Sequence, residues 1–240
     1  PYSKSYGDLY SSKKGAYEEA KHVFIKGNEL EKKFLNLQNK TSFSIVEIGF
    51  GAGINFLVTL QEWVNKTQGN KDLDYVAFDS TVFNLEQFKN TVKKFPDLKQ
   101  ISDIYLNKYP HNIAGIQRIY FDDLKVSLTL VLDDIKSSLS YLNTLTNIDV
   151  WYLDGFSPKK NPDMWSKDIF KGIYIASHKN SSFSTYTSAR LVKDNIEEAG
   201  LVCNLVEGFA SKRHMLVGKS LINNPKKFPK KKNIAVIGSG

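Results

Sequence analysis

The chain has 240 residues, 41% apolar and 24% charged, which suits a globular domain of ordinary to large size with a sizeable core. One cysteine, Cys203, excludes an internal disulfide and a multi-cysteine metal site and fits a reducing cytoplasm; four histidines without repeated spacing suggest no metal, and no apolar run is long enough to span a bilayer. The net charge of +8 is uneven: "PKKFPKKKN" (225–233) holds five lysines, and without them 28 basic residues face 25 acidic ones, so the body is only mildly basic.

Along the chain, strand-like and helix-like stretches alternate, which predicts an α/β fold with a mainly parallel sheet. The first fifteen residues, "PYSKSYGDLYSSKKG", have no signal-peptide core. "FSIVEIGF" (43–50) reads as a strand and "INFLVTLQEW" (54–63) as a helix; "LDYVAFD" (73–79) is a second strand, with a helix near 85–94. "KVSLTLVLDD" (125–134) alternates apolar residues as a strand should, and "IDVWYLD" (148–154) is apolar almost throughout, as expected of a central strand. Ser166 is a candidate cap for a helix to about Ser177, "SSFSTYT" (181–187) is a strand, and "SARLVKDNIEEAG" is a helix closed by Gly200. "LVCNLVEGF" and "HMLVGKS" are separated only by "ASKR", so they must pair antiparallel. A parallel sheet finished by such a hairpin resembles the class I S-adenosylmethionine-dependent methyltransferases. The lysine run reads as a solvated linker or part of an RNA-binding face. After it, "NIAVIGSG" ends a strand in Gly-x-Gly, like the opening of a dinucleotide-binding unit. The expected organisation is one domain over 1–222, a basic linker over 223–232, and at 233–240 either a chance strand or the first strand of a further, dinucleotide-binding domain.

"VEIGFGAGINF" (46–56) is strand, glycine loop and helix start. Gly49, Gly51 and Gly53 let a ligand approach the backbone, and the helix start offers free N–H groups. Such a loop serves NAD or S-adenosylmethionine. The dinucleotide pattern would need glycine or alanine where Ile54 stands, whereas G-x-G-x-G after Glu47 resembles the first motif of the methyltransferases. Glu47, Gly49, Phe50, Gly51, Gly53 and Asn55 are therefore candidate cofactor residues. Asp79 ends the second strand and is a candidate for the ribose hydroxyls. Asp133 and Asp134 end the third, with Asp134 a candidate for the adenine amino group. Each alone reads equally as a solvated strand end. Together they point to a site, because ligands of open α/β sheets bind at the carboxyl ends of the strands.

Asp154 ends the fourth strand, which places it beside the reactive methyl group. A carboxylate there can accept N–H hydrogen bonds and aim an amine lone pair. With an ordinary pKa of about 3.9 it would position the amine rather than take its proton, unless burial raises that pKa. Phe156 is a candidate for stacking on a planar base, and the lysines that follow for phosphates.

"LDGFSPKKNPDMW" (153–165) is similar to the signature of the methyltransferase domain of the MnmC family, bifunctional enzymes of tRNA 5-methylaminomethyl-2-thiouridine biosynthesis. "DLYSSKKGAYEEAKHVFIKGNEL", "EIGFGAGINFL", "FSTYTSARLVKDNIEEAG" and "GFASKRHMLVG" resemble the same family in the same order. The resemblance implies methyl transfer from S-adenosylmethionine to the aminomethyl nitrogen of a wobble uridine, with the tRNA anticodon loop as partner. It implies an FAD-dependent oxidoreductase domain after the lysine linker. It makes Asp154 the aspartate beside the acceptor, and Phe156, Pro158, Lys160, Lys212 and Arg213 candidates for tRNA. Two departures stand out: Asp79 is often Glu in the family, and Asp133-Asp134 is usually Gly-Asp. Glu18, Glu19 and Asn28 lie in a family-like stretch, but spacing gives them no role. Alternatives are another amine-directed transferase of this fold, such as an aminopropyltransferase, a non-catalytic RNA-binding module, and a nicotinamide oxidoreductase, which Ile54 disfavours.

Overall fold

Eight strands form one mixed sheet in the computed structural model, which describes residues 2–3, 8–9, 15–37, 40–68 and 70–222. The strands are β1 (Ser42–Ile48), β2 (Asp72–Asp79), β3 (Gly115–Phe121), β4 (Val126–Leu132), β5 (Ile148–Leu153), β6 (Ser177–Thr185), β7 (Leu201–Glu207) and β8 (His214–Ser220). Their order across the sheet is β3-β4-β2-β1-β5-β6-β8-β7. The five central strands, β4 to β6, run parallel; β8 pairs antiparallel with both β6 and β7, and β3 pairs antiparallel with β4. The helices are α1 (Ala16–Ala20), continued by a π-helical turn over Lys21–Lys26, α2 (Leu30–Leu35), α3 (Ile54–Thr67), α4 (Leu85–Val92), α5 (Lys99–Leu106), α6 (Leu139–Leu142), α7 (Lys167–Ala176) and α8 (Arg190–Glu198).

The period-two pattern of the central strands explains the layering. Ile45, Tyr75, Leu128, Val150 and Tyr152 join a core with Phe24, Phe34 and α3 residues Phe56, Leu60 and Trp63. The intervening Val46, Phe78, Val131, Trp151 and Leu153 join a second core with Ile169 and Ile173 of α7 and Val192 and Ile196 of α8. With both faces covered, β4 and β5 are buried at every residue. Each large side chain withdrawn from water contributes about 1.5–3 kcal/mol.

Chain order reverses at β1, with β2 and β4 on one side and β5 and β6 on the other. The loops leaving these strands are tied together through the backbone. Gly49 N–H donates to Phe78 O (2.8 Å), Asp154 N–H to Ile48 O (2.9 Å) and Asp133 N–H to Asp79 O (3.0 Å). A crevice at such a reversal is where ligands of open α/β sheets bind.

The structure adjusts several expectations. β1 stops at Ile48 and β4 at Leu132, so Gly49, Phe50, Asp133 and Asp134 lie in loops. The expected strand over 181–187 runs from Ser177 to Thr185, which leaves Tyr186 beyond its end. Ser166 stands at the N-cap of α7 without a side-chain capping bond. Gly200 follows α8 at φ +92°, as expected of a terminating glycine. The edge strand β3 and the amino-terminal helices were not read from sequence. The basic linker and the Gly-x-Gly strand lie outside the described residues.

Candidate active site

A cavity of about 370 Å³ opens at the carboxyl ends of β1, β2, β4 and β5. Its floor is the turn from β1 into α3. Gly49 has φ +98°, and a Cβ there would fall 1.7 Å from the carbonyl oxygen of Asp154, so only glycine lets the two strand ends meet. Gly53 is the N-cap of α3 in the left-handed region, with the Phe50 ring against the place of a Cβ. Gly51 N–H donates to Asp79 Oδ2 at 2.7 Å. Asp79 thus clamps the glycine loop with one oxygen while it still faces the cavity. Burial raises its pKa above the usual range, opposed by backbone N–H groups led by that of Gly51. Asp133 and Asp134 also line the cavity; their carboxylates accept from the backbone N–H groups of Asp134 (2.7 Å) and Lys136 (2.9 Å).

At the other end lies Asp154. Asn55 Nδ2 donates to Asp154 Oδ2 and to Glu47 Oε1, both at 2.7 Å, and Tyr75 OH donates to Glu47 Oε2 at 2.8 Å. Two acceptors on one side fix the orientation of the Asn55 amide, since only its NH₂ group can serve both. Glu47 is fully buried, and burial followed by the nearby Asp154 charge holds its pKa well above the carboxylate range. The Asp154 carboxyl is pushed up to about 7, first by burial and then by Glu19, while Asn55 and Lys212 oppose the shift. Burial and the Glu19 charge thus bring this carboxyl toward the neutral range.

The loop after Asp154 is held from two sides. Tyr186 OH donates to Gly155 O at 2.7 Å and Trp165 Nε1 to Phe156 O at 2.9 Å. Phe156 lines the cavity, partly buried. Across from it, Lys212 Nζ lies 3.6 Å from the Tyr186 ring centroid and 3.5 Å from Glu19 Oε1.

Of the residues expected at the site, Gly49, Phe50, Gly51, Asn55, Asp79, Asp133, Asp134, Asp154, Phe156 and Lys212 line the cavity. Glu47 does not; it sits inside the sheet and reaches the site through Asn55. Gly53 shapes the turn from behind. Pro158, Lys160 and Arg213 do not line it, and Lys160 and Arg213 are exposed on the adjoining loop and turn. Glu19 and Tyr186 were missed. Tyr186 follows β6, so the strand-end rule applied to that strand would have found it; Glu19 has no comparable local signal.

Among the described residues five carboxylates, Glu19, Asp79, Asp133, Asp134 and Asp154, line the cavity against one lysine, Lys212. That balance suits a cationic sulfonium and disfavours a pyrophosphate. The glycine loop over 49–53 and the carboxylates of Asp79 and Asp134 beside it fit S-adenosylmethionine. Among the described residues no group of His, Cys, Asp and Glu could hold a metal ion, and no helix is long and apolar enough to cross a membrane.

Comparison with known proteins agrees with this geometry. The bifunctional tRNA 5-methylaminomethyl-2-thiouridine biosynthesis protein MnmC of Methylobacillus flagellatus is 35% identical over 223 residues, covering 93% of this chain and 34% of that protein. The protein of the same name from Burkholderia thailandensis is 38% identical over 220 residues, covering 90% and 33%. The chain thus spans about a third of the length of the curated relatives it matches. The crystal structure of MNMC2 from Aquifex aeolicus superposes with a TM-score of 0.73 at 20% identity, covering 95% of this chain and 69% of that one, which shows the shared fold. Residues 96–220 match the sequence model described as S-adenosyl-L-methionine-dependent methyltransferase. The chain belongs to the S-adenosyl-L-methionine-dependent methyltransferase family.

Proposed function

We propose that this chain transfers a methyl group from S-adenosylmethionine to the aminomethyl nitrogen of 5-aminomethyluridine or its 2-thio form at the wobble position of tRNA. The observation that carries the reading is the place of Asp154, at the carboxyl end of β5 in the cavity wall, where its carboxylate is held by Asn55 beside the glycine loop. The names of the relatives point to the same modification. An anticodon-loop base is single-stranded and can be splayed into a cavity without opening a duplex.

S-adenosylmethionine supplies an electrophilic methyl on a sulfonium. The backbone of Gly49 and Gly51, with Asp79 and Asp134, would hold it. The acceptor must present a neutral nitrogen, whereas a free alkylamine is protonated below about pH 10. Ionised Asp154 accepts an N–H hydrogen bond, aims the lone pair and takes the proton; its raised pKa narrows the gap to the amine. Asn55 fixes the orientation of Asp154 through one N–H and is itself fixed by Glu47. Phe156 offers a ring face to the uracil. Lys160 and Arg213, beside the cavity, meet tRNA phosphates. The relatives are bifunctional by name, and the FAD-dependent domain that the sequence resemblance implies would be the partner that exposes the amine. A protein acting on tRNA would work in the cytoplasm.

The test is methyl transfer from labelled S-adenosylmethionine to tRNA bearing wobble 5-aminomethyluridine, beside the same tRNA with unmodified uridine. Label only on the aminomethylated tRNA is expected. Equal labelling of both, or labelling of neither by a protein that binds S-adenosylhomocysteine, removes the reading.

A further inference from the structure

Lys212 was expected to face tRNA phosphates, but its ammonium points into the cavity. It lies 3.6 Å from the centre of the Tyr186 ring and 3.5 Å from Glu19 Oε1, an aromatic face and a carboxylate around one cation. Glu19 is largely buried at the end of α1, with its side chain 14% exposed, while that of Lys212 is 40% exposed. The Tyr186 ring is fixed in place, because its hydroxyl donates to Gly155 O. Lys212 is carried on the turn between β7 and β8, closed by Lys212 N–H to Phe209 O (3.0 Å) and Gly208 N–H to Arg213 O (3.1 Å). Its side chain can leave without moving a strand, whereas Glu19 and Tyr186 stay.

We propose that Glu19 and the Tyr186 ring form a subsite for a primary alkylammonium beside Asp154, and that Lys212 fills it as an internal stand-in until a substrate aminomethyl group displaces it. A lysine terminus and an aminomethyl group are the same chemical unit, a CH₂ bearing an ammonium with three donors. Among the described residues Lys212 is the one basic residue lining the cavity beside five carboxylates, so exchanging it for a substrate ammonium keeps that charge balance. Asp154 already feels both groups, since Glu19 raises its pKa and Lys212 lowers it. A neutral hydroxymethyl or an unmodified uracil has no charge to replace the one that leaves. The subsite therefore selects the amine before any methyl moves. The inference rests on the amine-directed reading above and adds the residues that recognise the amine.

The experiment measures binding of the nucleosides 5-aminomethyluridine and 5-hydroxymethyluridine by calorimetry, with the protein saturated with S-adenosylhomocysteine. Wild type should prefer the amine. Glu19→Gln should lower amine affinity about tenfold and leave the hydroxymethyl compound unchanged, the scale of a lost charge-assisted contact. Lys212→Met should tighten amine binding about threefold or more, because the competitor is gone and the ring and carboxylate remain. Weaker amine binding in Lys212→Met, or equal loss of both nucleosides in Glu19→Gln, overturns the proposal. Lys212 lies on a turn, so Lys212→Met carries the test even if Glu19→Gln fails to bind S-adenosylhomocysteine. Ethylammonium separates the two readings. If its binding depends on Glu19 while aminomethylated tRNA is not methylated, the subsite stands and the tRNA reading falls. If tRNA is methylated with KM unchanged in both variants, the tRNA reading stands and the subsite falls.

Discussion

Asp149 and Asp154 belong to one segment, at the two ends of β5, and their surroundings are opposite. Asp149, 6% exposed, accepts from Ser44 N–H at 2.9 Å, Ser44 Oγ at 3.1 Å, His178 Nε2 at 3.0 Å and the Lys40 ammonium. Burial alone would raise its pKa, but the bonds from His178 and Lys40 outweigh it and hold the carboxyl below its usual range. Among the described residues Asp154 accepts from one neutral donor, Asn55, and Glu19 and Asp79 add negative charge near it, offset in part by Lys212. The first carboxylate is saturated with donors and fastens the strand. The second is short of them, so its ionised form is costly and available to an incoming N–H. What distinguishes a structural acid from a chemical one here is the supply of donors and the side each faces: Asp149 is buried, whereas Asp154 is half-buried and opens onto the cavity.

The largest effect expected on the saturated end is from Asp149→Ala. It leaves Ser44 N–H and His178 without their acceptor and should lower stability by about 3 kcal/mol, measured by denaturant unfolding. Transfer per folded molecule should be unchanged; a specific loss of transfer would erase the contrast. Next, Asn55→Asp replaces the amide that donates to Asp154 with another carboxylate between two acids, at a cost of about 2 kcal/mol, and moves the rising limb of the pH–rate profile to higher pH. A profile that does not move would detach Asn55 from Asp154.

The two ends should also separate by pH. The folded pKa of Asp149 is depressed, so its stabilisation is present above the unfolded value of about 3.9 and is lost as pH falls through the folded pKa. Asp154 is raised to about 7, so the folded state holds the extra proton between about pH 4 and 7 and stability falls as pH rises through that window, then levels. Unfolding measured across pH should lose the acid limb in Asp149→Asn. In Asp154→Asn the neutral-side slope should be shallower but not abolished, because Glu47 and Asp79 shift in the same direction. Identical curves for both variants would contradict the assignment. The smallest effect belongs to residues outside the cavity. Lys160→Ala with Arg213→Ala should leave stability and S-adenosylhomocysteine affinity within error and make the salt dependence of tRNA binding shallower, by about one in slope per lost phosphate contact. An unchanged slope would place both away from tRNA.

The parts of the site legible in sequence are those built from one short segment. The strand, glycines and helix start over 46–56 carry their geometry locally, and Asp79, Asp133, Asp134 and Asp154 each close a hydrophobic run. Strand alternation and the tight 208–213 connection likewise led to the parallel sheet and its antiparallel edge. Glu47 misled because an acid next to a glycine loop looks like a ligand; its odd-numbered register on β1 turns it inward to Asn55 and Tyr75. Glu19, Tyr186 and Lys212 come from a helix, a strand end and a hairpin turn, and only tertiary packing brings them together. Strand β3 escaped because a one-sided edge strand with exposed Ile116 and Tyr120 lacks a clear inside and outside.

The most direct test compares wild type with Asp154→Asn for S-adenosylhomocysteine affinity and for methyl transfer to aminomethylated tRNA, in one preparation at pH 8. The expected result is a dissociation constant within about threefold of wild type and transfer reduced at least about 100-fold, the scale of a lost positioned base. Transfer retained, or affinity and transfer lost together, would contradict the central role of Asp154 as the group that receives the acceptor amine.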